Sequence, residues 1–218
     1  MLKRASEEAL EALIKRFPIL FPLQEKILAS LLLLENAYRN GAKILICGNG
    51  GSAADSLHIV GELMKSFTLP RPLSSTMVRQ LEQFYPNEAA YYKRYLQETV
   101  PAISLASETS LLTAYSNDAA PELAFAQQVL GYGQPGDVLW AISTSGNSSN
   151  ILHAARIAKA KGLSVMSMTG QSGGNLKNLS DILLNVPSNI THHVQELHIP
   201  IYHLLCQILE IELFGESM

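Results

Sequence analysis

Five short apolar runs, rich in β-branched residues and bounded by glycine, proline or serine, constrain this chain more than any other feature. KILICG opens into GNGGSAAD, DVLWAIST into SGNSSN and LSVMSMTG into QSGGN, while VPAISLAS and ILLNVP complete the set. Helical stretches are expected after GNGGSAAD to about Phe67, over ILHAARIAKAKG, over GGNLKNLS and from Val194 to Phe214. Strands that alternate with helices must cross over the sheet to stay parallel, so the pattern predicts an α/β fold whose parallel sheet is covered on both faces.

Two segments stand outside this rhythm. Residues 1–40 read as a helical arm: Leu10, Leu13, Ile14 and Phe17 share one face, a second helix runs from Ile27 to Tyr38, and Gly41 stops it. Residues 70–101 are too long for an ordinary connection, carry Tyr85, Tyr91, Tyr92 and Tyr95, and are expected to form one or two helices, packed on the domain or serving as a lid or subunit contact. The whole of 1–218 reads as one domain.

Composition excludes several classes. Sixteen Lys plus Arg against nineteen Asp plus Glu leave no positive excess to release counterions from a phosphate backbone, so no direct nucleic-acid partner is expected. Stretches such as Ile27 to Leu34 and Ile199 to Leu205 fall short of the roughly 20 residues of a membrane span. The amphipathic start MLKRASEEALEALIKRF lacks the apolar core of a signal peptide, and a cytoplasmic location is expected. Cys47 and Cys206, in apolar surroundings, read as buried thiols.

Ligands of open parallel sheets bind beyond the carboxyl ends of strands, which directs attention to GNGGS and STSGNSS. Gly48, Gly50 and Gly51 let the backbone approach a ligand, and Ser52 is expected at the cap of the next helix, whose dipole favours anions. Ser143, Thr144 and Ser145 precede Gly146 and a second cap near Ser148. Neither loop matches a P-loop or the dinucleotide-binding fingerprint, so two successive cradles leave ordinary loop geometry and a phosphate monoester site as the open readings.

His58 and Glu62 stand one helical turn apart on one face, as a surface pair or as ligands of a shared ion or substrate. The segment THHVQELHIPIYH adds His192, His193, Gln195, Glu196, His198 and His203, of which one or two histidines are expected in the core, hydrogen-bonded to backbone. Gln195 and His203 are separated by about 12 Å along a helix and about 80° around it, a spacing that favours a site shared between subunits.

CGNGGSAAD, ISTSGNSSNI, the His-x3-Glu pair, QELH-x4-H, Ser116 to Asp118 and Thr169 to Gly174 together resemble the sugar isomerase (SIS) family, in particular its phosphoheptose isomerases, from about Leu23 to Leu213. The resemblance implies a flavodoxin-like α/β/α sandwich with a five-stranded parallel sheet, and a homotetramer with sites at subunit interfaces. It also implies conversion of sedoheptulose 7-phosphate to D-glycero-D-manno-heptose 7-phosphate through an enediol. By the same carry-over, Glu62 and His203 are the acid and base, and one zinc ion is held by His58, Glu62, Gln195 and His203. Asn49, Gly50, Gly51, Ser52, Asn117, Asp118, Ser143, Thr144, Ser145, Ser148 and Gln195 would line the sugar phosphate. Here His192 and His193 replace the Asp-Arg pair that precedes the family's Ile-Gln-Glu run, and Ser66 beside Lys65 replaces its Arg one turn after the catalytic Glu. The rival reading is a non-catalytic relative that binds a sugar phosphate or associates with the DnaA initiator; retention of Glu62 and His203 favours the enzyme.

Overall fold

The computed structural model describes residues 2–215. In chain order the helices and strands are α1 (Arg4–Arg16), α2 (Gln24–Arg39), β1 (Ile44–Cys47), α3 (Gly51–Met64), α4 (Ser75–Phe84), α5 (Ala89–Tyr95), β2 (Ala102–Ser104), α6 (Thr109–Asp118), α7 (Ala124–Tyr132), β3 (Val138–Ile142), α8 (Ser149–Ala160), β4 (Ser164–Thr169), β5 (Ile182–Asn185) and α9 (Thr191–Phe214). All five strands are parallel in the order β2-β1-β3-β4-β5. The expected α/β sandwich is therefore present, and its order reverses between β1 and β3, where open sheets of this kind leave a crevice.

Side chains alternate across the sheet with the strand period. Ile44, Ile46, Val138, Trp140, Ile142, Met166 and Met168 face the layer of α2, α3 and α9, while Leu45, Cys47, Leu139, Ala141 and Val165 face α7 and α8. Both cysteines are buried free thiols, and burial pushes Cys47 up to about 12. Gly41 (φ 73°) ends α2 as foreseen: its left-handed backbone lets Ala42 N–H reach Ala37 O at 3.0 Å and recover an orphaned helical carbonyl.

The start of the arm is tied to the end of α9. Lys3 Nζ donates to the carbonyls of Ile211 (2.9 Å), Glu212 (3.1 Å) and Gly215 (2.8 Å), capping α9, and Ser6 Oγ donates to Glu212 Oε1 at 2.5 Å. The insertion folds as two helices, α4 and α5, which leave Phe84, Tyr85, Tyr91 and Tyr95 exposed and bury only Ala89.

Three boundaries differ from expectation. Helix α3 stops at Met64 rather than near Phe67, because Arg71 folds back and donates to the carbonyls of Leu63 and Glu62 (2.7 and 3.0 Å). The segment after β4 is a 3₁₀ turn, Gly174–Asn178, rather than an α-helix, since Gly173 and Gly174 (φ 71° and 51°) hold its start against the β3 loop. Helix α9 begins at Thr191 rather than Val194 and has the length and hydropathy of a membrane span. More than half of its apolar window is buried, and it keeps Glu210, Glu212 and His198 in the interior, which marks a core helix.

Candidate active site

The two cradles occupy the carboxyl ends of β1 and β3, neighbours in the sheet. After Cys47 the chain turns at Gly48, where a Cβ would collide with the Ser52 backbone, and Gly50 (φ 55°) provides the N-cap of α3. The expected cap residue, Ser52, lies one residue inside α3 and is buried; its N–H donates to Asn49 O at 3.0 Å. Asn49 and Gly50 face solvent.

The second cradle is pinned to its neighbours chiefly by backbone hydrogen bonds. Ser143 N–H donates to Met168 O (3.0 Å), Gly170 N–H to Thr144 O (2.9 Å) and Leu176 N–H to Gly146 O (3.0 Å). Gly146 (φ 65°) lies so close to Gly173 that any Cβ would overlap its carbonyl. Ser148 is the N-cap of α8, with its hydroxyl 3.0 Å from that of Ser143. Thr144 and Ser148 are half-buried and Ser145 is exposed. Asn150, which the sequence reading passed over, exchanges two hydrogen bonds with Asn49 (2.9 and 2.8 Å) and so locks one cradle to the other.

Two turns along α3 a second cluster forms against α9. His58 Nε2 lies 3.2 Å from Glu62 Oε1 and 3.4 Å from His203 Nε2, bringing the expected acid, base and imidazole partner together. Lys65 Nζ is 3.2 Å from the other Glu62 oxygen. Burial depresses the His203 pKa, with His58 adding to the shift and Glu62 opposing it. Tyr202, also unanticipated, places its hydroxyl 3.1 Å from His58 Nδ1 and 3.4 Å from Asp55 Oδ1. Burial raises the Asp55 pKa against the Tyr202 hydrogen bond and the His58 charge.

Of the four expected zinc ligands, three share this cluster. Ligands at 2.0–2.2 Å in tetrahedral array stand roughly 3.3 Å apart, and the His58–Glu62 and His58–His203 separations match such edges. Among the described residues no three His, Cys, Asp or Glu side chains already close around one point; the two pairs meet at His58 Nε2. The donor chemistry, two imidazoles and a carboxylate, suits zinc. Gln195 stands elsewhere: its amide lies over Gly51, where an added Cβ would come within 2.5 Å of Nε2. Since Gly51 and His58 are about 10 Å apart along α3, Gln195 belongs to the cradle within one chain and His203 to the cluster. Asn117 and Asp118, at the exposed end of α6, hydrogen-bond to each other at 2.8 Å rather than to a cradle residue. His198 is a core histidine, as foreseen: its Nε2 lies 3.3 Å from Thr169 O, and burial pushes its pKa down to about 4. His192 and His193 are exposed, their rings edge to face at 4.4 Å.

A parallel sheet in the order β2-β1-β3-β4-β5, with glycine-serine loops at its switch point, is the fold of the sugar isomerase class. Residues 89–170 match the SIS domain family. A phosphoheptose isomerase of Clostridium acetobutylicum is 41% identical over 194 residues, covering 89% of this chain and 86% of that protein. The solved phosphoheptose isomerases of Neisseria gonorrhoeae (TM-score 0.70, 32% identity, 94% of this chain and 93% of that one) and Francisella tularensis (TM-score 0.71, 30% identity, 94% and 92%) share the fold. The chain belongs to the phosphoheptose isomerase family.

Proposed function

We propose that this chain is an aldose–ketose isomerase that converts sedoheptulose 7-phosphate to D-glycero-D-manno-heptose 7-phosphate, with Glu62 and His203 moving the proton. Family membership supports the reaction, and the convergence of Glu62 and His203 on His58 Nε2 is the observation that carries the residue assignment. Isomerisation removes a proton beside a carbonyl and returns it to the neighbouring carbon. A carboxylate and an imidazole held together can each give and take that proton through the enediol. Burial lowers the His203 pKa, which favours the neutral ring that either a base or a metal ligand requires.

The phosphate is assigned to the cradles. Asn49, Gly50, Gly51 and Ser52 at the start of α3, with Ser143, Thr144, Ser145 and Ser148 at the start of α8, offer hydroxyls, amides and two helix N-termini. Binding energy at this remote group orients the reacting carbons. His58, Glu62 and His203 would hold a zinc ion, which would supply polarisation of the carbonyl oxygen. Gln195 would join as a ligand only across a subunit boundary, since within one chain it lies over Gly51, and Asn117 and Asp118 would add substrate contacts from the exposed end of α6. The need of Gln195 supports sites shared between subunits, which a homotetramer would supply; the enzyme's place of work is taken to be the cytoplasm.

A panel of ketose phosphates, assayed with and without a chelator, tests the proposal. Turnover of sedoheptulose 7-phosphate that chelation abolishes and zinc restores is expected. Silence across the panel refutes the reaction, and full turnover in the chelated arm refutes the metal.

A further inference from the structure

The role open to His58 Nε2 depends on what the other ring nitrogen does, because a neutral imidazole carries a single proton. Nε2 faces Glu62 and His203. Nδ1 faces inward, 3.1 Å from the hydroxyl of Tyr202, whose ring meets the His58 ring at 5.6 Å and 72°. Tyr202 is only 1% exposed, so its hydroxyl cannot turn to bulk water and needs a partner inside the protein. That partner is Asp55 Oδ1 at 3.4 Å, and the second Asp55 oxygen is shut off from solvent with no hydrogen bond of its own.

These valences fix a direction. An ionised carboxylate only accepts, so the one hydroxyl proton of Tyr202 goes to Asp55. The hydroxyl oxygen is then left to accept from His58 Nδ1–H. A neutral ring with its proton on Nδ1 keeps the lone pair on Nε2, the nitrogen aimed at Glu62 and His203. Without the hydroxyl the preference reverses, because Glu62 Oε1, 3.2 Å from Nε2, would draw the proton to that side. The placement is economical in sequence: Asp55 precedes His58 by one turn of α3, and Tyr202 is adjacent to His203 on α9.

We propose that Asp55 and Tyr202 are positioning residues, a relay that holds the His58 proton on Nδ1 and so presents Nε2 as a ligand to a divalent cation between Glu62 and His203. This rests on the zinc reading of the site. An outer partner that fixes the tautomer of a ligating histidine typically contributes 10–100-fold in metal affinity or activity.

The test combines ring nitrogen NMR with metal binding. Long-range ¹H–¹⁵N spectra at pH 8, with His58 assigned by comparison with H58N, are expected to show Nδ1 protonated in the metal-free wild type and after zinc is added. In metal-free Tyr202→Phe, which keeps the ring and its packing, the neutral imidazole should shift its proton to Nε2, and zinc affinity in competition with a chromogenic chelator should fall 10–100-fold. Asp55→Asn retains an acceptor oxygen and should hold most of the affinity; Asp55→Ala should behave like Tyr202→Phe. An unprotonated Nδ1 in the metal-free wild type overturns the relay even if no variant folds. Zinc affinity unchanged in both Tyr202→Phe and Asp55→Ala overturns it while leaving the zinc reading intact, whereas a wild type that binds no zinc refutes that reading itself.

Discussion

Replacing Glu210 by Ala should loosen the strap that closes α3 behind Glu62. Glu210 and Arg71 are both fully buried in their side chains, with Nε to Oε1 at 2.7 Å. The same carboxylate accepts from the N–H groups of Phe67 (2.7 Å), Thr68 (2.6 Å) and Leu69 (2.9 Å) and from the Thr68 hydroxyl (2.7 Å). Burial raises its pKa, but these donors and Arg71 outweigh burial and hold it below the ordinary 4.5. Removing the carboxylate leaves a buried guanidinium unpaired, at roughly 3–5 kcal/mol, and strands three amides at about 1 kcal/mol or more each. Water entering the strap returns part of this, so a loss of about 4–6 kcal/mol is expected. In a chain of 218 residues each kcal/mol moves Tm by roughly 2–4 °C, which gives a fall of about 10–20 °C.

The assay is urea and thermal unfolding followed by circular dichroism at fixed protomer concentration, since assembly would make Tm concentration-dependent. A second variant, R71L/E210L, separates the ion pair from the backbone clamp. Replacing a buried pair by apolar residues is often neutral. Here the amides of 67–69 would still lack their acceptor, so a loss of about 3 kcal/mol should persist. The depressed pKa also sets a sign: the carboxylate contributes above its unfolded pKa near 4.5, and the contribution disappears as pH falls through the lower folded value. An E210A protein within 1 kcal/mol of wild type, or a double variant as stable as wild type, refutes the clamp.

Three further outcomes follow from the site and its surroundings. Glu62→Gln should lower kcat by about 10²–10⁴-fold with the fold intact; steady-state kinetics showing wild-type turnover would remove Glu62 from proton transfer. Gly146→Ala, at φ 65° and against the Gly173 carbonyl, should raise KM for the sugar phosphate at least about tenfold by displacing the second cradle, and an unchanged KM would show that this loop does not hold substrate. His198, neutral in the fold down to about pH 4, makes stability fall as pH drops from about 6.5 toward 4, because the unfolded chain takes up the proton first; an NMR titration placing its pKa near 6.5 would contradict this.

The sheet was legible because each strand carries its own evidence: Ile44 to Cys47 and Val138 to Ile142 are apolar on both faces, and each opens into a loop with a positive-φ glycine, Gly50 after the first and Gly146 after the second. His58 and Glu62 were legible because four residues along a helix is a fixed geometry. Pairings across the fold were not. Tyr202 reads as one more apolar residue of α9 until Asp55, 147 positions earlier, is seen beside it, and Glu210 reads as solvated until it meets Arg71 across 139 positions. Asn49 and Asn150 each look like a loop residue, and only the crossover brings them into register.

Gln195 and His203 sit between these extremes, since helix geometry already separated them by about 12 Å and the fold gives each a different neighbour, Gly51 for one and His58 for the other. Within one chain the proposed anion-binding end and the proposed proton-transfer end therefore stand about two turns of α3 apart. Either an extended substrate spans that gap, or a second subunit lays its cradle against the first subunit's Glu62. Mixing E62Q with G146A subunits decides between them. If each chain works alone, every site keeps one lesion, and at substrate well below the raised KM of G146A the mixture shows only the residual turnover of its two parents. If sites are shared, random assembly pairs an intact cradle with an intact Glu62 in about a quarter of them. At that low substrate, turnover near that fraction of wild type is expected, and a mixture no more active than its parents, with co-assembly verified by native mass spectrometry, refutes a shared site.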